Sequence, residues 1–145
     1  MLRWVQVSPD GKKVVFQALG YLYVRDLDGG RPERLTRQTE HFEFYPTWSR
    51  NSKRIAYTTW NDEELGEVRV AGIGGRRSRA LTSVPGHYVE PTFSPDGETV
   101  VYRKVGGGGL RTGAWSNDRG VYQVPISGGE SELIRKKGIF PHFGT

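Results

Sequence analysis

Apolar residues in this chain fall in short alternating groups. Val14 and Phe16, Ile55 and Tyr57, and Val100 and Tyr102 stand two positions apart, the period of a strand that buries one face. No stretch keeps a helical period over three turns. Each apolar group is bounded by Gly, Pro, Asn or Asp, so the pattern predicts an all-β protein. No apolar run approaches the ~18 residues that cross a bilayer, so membrane insertion is not expected.

The groups repeat. "VQVSPDGKKVVFQA" begins at Val5, "PTWSRNSKRIAYTT" at Pro46 and "PTFSPDGETVVYRK" at Pro91. Each is followed by a second apolar stretch ("YLYVRDLDGG", "GEVRVAGIGG", "GVYQVPISGG") and a short third one ("PERLT", "SRALT", "SELI"). The Gly-Gly pairs at 29–30, 74–75 and 128–129 lie 45 and then 54 residues apart. Each unit therefore holds four strands, placed in the third at about 90–94, 99–104, 121–126 and 131–134. The connections carry turn chemistry. In Ser-Pro-Asp-Gly, Pro presets φ, Asp bonds the backbone and Gly takes φ > 0. The second unit has Ser49-Arg50-Asn51-Ser52, where Asn51 is expected to tolerate the left-handed region.

Four antiparallel strands repeated at this length predict a β-propeller. The blades span about 2–36, 44–82 and 90–134. The closing "GIFPHFGT" matches the start of a unit, so 140–143 is expected to be the innermost strand of a fourth blade. Three blades are about half of a six-blade ring, and each blade face needs a neighbour. The chain is therefore expected to be part of a longer protein, with another domain or chain completing the ring. A homodimer is an alternative way to close it. However, a partner's 140–143 would compete with residues 2–7 for one innermost slot.

These units resemble TolB-type propeller repeats, the P-x-W-S-P-D-G pattern, over nearly the whole chain. "SPDGKKVVFQALGYLYVRDLDGG", "YTTWNDEELGEV" and "FPHFG" look similar to the propeller module fused ahead of metal-dependent amidohydrolase barrels in bacterial proteins. The resemblance implies a non-catalytic scaffold or binding module that packs against a hydrolase domain. The His-x-His metal motif of such barrels does not occur in this sequence. TolB-like relatives would imply instead a protein-interaction propeller of the bacterial envelope, periplasmic or exported. The N-terminal "MLRWVQVSPDG" has no signal-peptide h-region. Propeller lyases with channel histidines supply a third reading, a metal enzyme.

Composition narrows the chemistry. The net charge is +5, and the basic residues are dispersed apart from small clusters at 76–79 and 135–137, so no nucleic-acid partner is expected. There is no cysteine, hence no disulfide and no thiol nucleophile. Along the innermost strands, the phase opposite Trp48 and Phe93 holds Gln6, Thr47, Thr92 and His142, candidates for a wet channel wall. The loops expected to enter these strands add His41, Glu43 and Tyr45, then His87, Tyr88 and Glu90. They are candidate binding residues with an imidazole and a carboxylate in each group. No local pair has metal-ligand spacing, so no metal and no cofactor are assigned. Asp62, Glu63 and Glu64 read as a solvated hairpin tip. "VGGGGLRTGAWSNDRG" lacks the Lys of a phosphate-binding loop, and no G-x-S-x-G elbow is present. No catalytic residue is assigned.

Overall fold

The computed structural model describes residues 2–74, 77–105 and 119–135. They form three four-stranded antiparallel sheets. The first contains β1 (Arg3–Val7), β2 (Lys13–Ala18), β3 (Tyr21–Asp26) and β4 (Gly29–Arg34). The second contains β5 (Phe42–Trp48), β6 (Arg54–Trp60), β7 (Val68–Gly72) and β8 (Ser78–Ala80). The third contains β9 (His87–Phe93), β10 (Thr99–Val105), β11 (Gly120–Pro125) and β12 (Glu132–Arg135). Each sheet is a meander, with neighbours in space following the order of the chain. This is the expected all-β blade architecture. The innermost strands β5 and β9 start at Phe42 and His87, earlier than the apolar pattern suggests. The expected strand at 140–143, with His142, lies outside the described residues, as does most of the Gly-rich insertion.

One turn closes the first hairpin of every blade. Ser8, Ser49 and Ser94 donate from Oγ to Asp10, Asn51 and Asp96 at 2.6, 2.7 and 2.5 Å. The same three Oδ1 atoms accept the amides of Lys12, Lys53 and Glu98, each at 3.0 Å. The left-handed position is held by Gly11 (φ 75°), Ser52 (φ 63°) and Gly97 (φ 76°). In the second blade, then, Asn51 substitutes for the aspartate as acceptor. Ser52, not Asn51, carries the positive φ. Its Oγ accepts the Asp10 amide of the neighbouring blade at 3.0 Å.

Two cores lie between blades. Val15, Leu22 and Leu35 of the first blade meet Trp48, Ile55, Tyr57 and Ala71 of the second. Ala56, Val68, Val70 and Leu81 of the second meet Phe93, Val100, Tyr102 and Val124 of the third. Alternation along β6 sends Ile55 and Tyr57 to one core and Ala56 to the other, so the middle blade is buried on both faces. Tyr57 and Tyr102 occupy equivalent positions. Their hydroxyls bond Ser78 and Ser131.

Candidate functional site

The innermost strands β1, β5 and β9 lie side by side, and each carries a bulge at the same place. Ladder pairing slips between Arg3 and Gln6 and between Phe44 and Thr47. In the third blade Arg103 pairs with Val89 and Val101 with Thr92, so two residues of β9 oppose one of β10. The bulged residues Trp4, Tyr45 and Glu90 have φ of 51°, 53° and 57°. That left-handed backbone is disfavoured for residues with a Cβ by roughly 1–2 kcal/mol, and a bulge adds one residue to the strand. The extra residue reverses the alternation. Phe44 and Thr47, three apart, share a face, and Glu43 shares the opposite face with Trp48.

This reversal decides where the candidate residues point. Glu43 is 0% exposed. Its carboxylate accepts the Leu22 amide at 2.9 Å, the Thr36 hydroxyl at 2.5 Å and the Gln38 side-chain amide at 3.0 Å. Arg34 lies 3.9 Å away. Tyr88, at the equivalent position, is also buried. Its hydroxyl donates to the Val84 carbonyl, and burial pushes its pKa above the usual phenol range. Both residues face the preceding blade and brace it, so neither presents its polar group to a channel. The expectation that these residues lie in loops is corrected in part: His41 precedes β5, but Glu43 and Tyr45 lie within β5, and His87, Tyr88 and Glu90 within β9.

The remaining candidates reach solvent to different degrees. Gln6 is exposed, and Thr47 and Thr92 are partly so. Tyr45 packs its ring 4.9 Å from Trp4, which also meets Phe44 edge-on at 5.9 Å and lies under the Arg3 guanidinium at 4.8 Å. Glu90 accepts from Arg103 at 2.5 Å, and its second carboxylate oxygen is buried without a hydrogen-bond partner among the described residues. His41 stands 4.0 Å from Glu64, next to the turn that caps β6. His87 packs 5.0 Å from the Trp60 ring, and partial burial lowers its pKa. Among the described residues no three His, Asp or Glu side chains gather as a metal cluster. The acidic turn is exposed but ordered: Asn61 Oδ1 accepts the amides of Glu63 and Glu64 at 3.0 and 2.5 Å.

The sequence reading did not single out Trp4, Arg103 or Lys104. Trp4 could have been found by aligning it with Tyr45 and Glu90 one place before the matched Val5, Pro46 and Pro91. Lys104 could have been found as a cation at a position held by Ala18 and Thr59 in the other units.

Packed four-stranded meanders set around neighbouring innermost strands define a β-propeller. With typically four to eight blades in a closed ring, three are a partial one. The blades are of the TolB type. A protein TolB homolog from Chlorobium chlorochromatii is 33% identical over 100 residues, 66% of this chain and 22% of that protein. Dipeptidyl-peptidase 5 from Porphyromonas endodontalis is 31% identical over 106 residues, 66% of this chain and 15% of that protein. TolB from Acinetobacter baumannii superposes with a TM-score of 0.71 at 19% identity, over 97% of this chain and 33% of that one. No protein-family model matches. The chain thus spans about a fifth of the length of the curated relatives it matches.

Proposed function

We propose that the chain is a non-catalytic scaffold and binding module. It contributes three blades to a larger ring and packs against an amidohydrolase-type hydrolase domain. The observation that supports a completing neighbour is a single repeat position. Trp48 and Phe93 are 8% and 7% exposed where they meet a preceding blade, whereas Val7, in the same place on the first blade, is 51% exposed. The surface offered to a partner domain is the end of the innermost strands, with Gln6, Thr47, Thr92, Tyr45 and Glu90. His41 and His87 flank it at the start of β5 and β9. The buried Glu43 and Tyr88 position this surface from behind.

The decisive observation is the reading frame that encodes the chain. A barrel sequence with a His-x-His metal motif continuous with these blades supports the reading. A six-blade frame with an export signal and no barrel overturns it. That outcome would favour a protein-interaction propeller of the envelope, the reading that the TolB relative makes the natural alternative. With the barrel in hand, Thr47→Arg and Thr92→Arg are expected to abolish its co-purification with the blades while leaving their fold intact.

A further inference from the structure

A second site lies away from the innermost strands, between the second and third blades. Lys104 is 7% exposed. Its Nζ lies 5.8 Å from the centroid of the Tyr88 ring, and no hydrogen bond or ion pair joins it to another described residue. Its stem is buried while the ammonium, without a charged partner, reaches solvent at the cleft. The fold does not require it, since Ala18 and Thr59 fill the equivalent position in the other blades. The backbone nevertheless makes room for it. A Cβ on Gly86 would come within 3.0 Å of Lys104 Cε and 3.2 Å of the Tyr88 ring.

Lys104 opens into a cleft of about 300 Å³ lined also by Thr82, Tyr88, Tyr102, Glu130 and Ser131. The polar groups there have hydrogens to give. Thr82 Oγ1 already accepts the Val68 amide at 3.1 Å, and Ser131 Oγ accepts the Tyr102 hydroxyl at 2.6 Å. Ser131 therefore keeps its own proton for a third party, whereas the Thr82 hydroxyl already bonds the Tyr88 hydroxyl. A cation with a hydroxyl donor against aromatic walls suits an oxyanion. Glu130, exposed at the rim, adds a negative charge that disfavours a doubly charged ligand. We propose that this cleft binds a singly charged carboxylate, with Lys104 as its counter-ion.

The test uses the full chain labelled with ¹³C at lysine Cε, titrated with sodium acetate and, at equal ionic strength, with sodium chloride or sodium phosphate. Acetate is expected to shift the Lys104 resonance saturably, and chloride and phosphate are not. Gly86→Ala, which displaces the Lys104 stem without removing its charge, is expected to weaken acetate binding about tenfold. Lys104→Met should keep the fold, because an apolar chain of similar length preserves the packing of the buried stem, and it should remove the acetate-dependent rise in thermal midpoint. An equal response to chloride, or none to acetate, overturns the site. A stronger response to phosphate than to acetate overturns its assignment to a carboxylate.

Discussion

At the residue scale, the three hairpin turns differ in one atom that matters to acid. Asp10 and Asp96 hold their carboxyls below the usual carboxylate range, first through the Ser8 and Ser94 hydroxyls and then through the Lys12 and Glu98 amides. Asn51 makes the same bonds and cannot titrate. A carboxyl whose pKa is depressed by folding contributes stability above the unfolded value of 3.8, and that contribution is lost as pH falls through the lower folded value. Hydrogen exchange below pH 3.8 should therefore accelerate at the amides of Lys12 and Glu98, relative to neutral pH after correction for intrinsic rates, while that of Lys53 stays protected. Equal loss at all three would show that the carboxylates do not set the turns' stability. Glu43 makes a larger demand. Glu43→Ala would strand the Leu22 amide in a dry interface and leave the Thr36 hydroxyl without its acceptor. A loss of about 3 kcal/mol in urea unfolding is expected. Thr47→Ala, on the solvent side of the same strand, should cost below about 0.5 kcal/mol.

At the scale of elements, period-two alternation and turn residues were enough to place the strands and the meander. They could not locate the bulges. Trp4, Tyr45 and Glu90 share no side-chain chemistry, and two of them precede proline, which ordinarily favours extended backbone. Counting by twos backwards from Thr47 puts Tyr45 and Glu43 on its face. The inserted residue sends Glu43 to the other face instead, so a candidate ligand becomes a structural carboxylate. The turn in the second blade was legible as a turn, but the residue that pays in φ was not. Asn51 is the better left-handed residue, yet it is needed as the acceptor, and Ser52 takes the strain. The contact between blades was equally hidden in sequence. Gly66 and Gly86 exchange amide-to-carbonyl bonds at 2.9 and 3.1 Å, joining the turn of one blade to the entry of the next. Gly66 has no positive φ, yet a Cβ there would lie 2.0 Å from the Thr59 carbonyl oxygen. Gly66→Ala should thus disrupt the bridge and lower stability by roughly 2–4 kcal/mol. Gly72→Ala, with open space around it, is the control and should be near neutral. A similar midpoint for both variants would show that the bridge adjusts without cost.

At the scale of the molecule, the first blade is covered on one face only. Val15 and Leu22 are buried against the second blade. The opposite face carries Val7, Phe16 and Tyr23, whose rings stack at 5.8 Å. Phe16 is only partly buried, although its equivalents Tyr57 and Tyr102 are almost fully covered. A preceding blade covers those equivalents, and none covers Phe16 among the described residues. An apolar sheet face of this kind favours association over a dispersed monomer. Light scattering on a size-exclusion column is therefore expected to give a mass above the 16.3 kDa of one chain, rising with concentration. Val7→Lys together with Phe16→Lys should move it back toward the monomer without lowering the β content, since both positions face away from the inter-blade cores. A discrete dimer would mean that two chains cover each other's open faces and form a self-sufficient ring. Open-ended growth would mean that the face awaits a different blade, because a head-to-tail contact that does not close propagates. A well-folded monomer at every concentration would show that this face is covered from within the chain, and the case for a completing partner would fall with it.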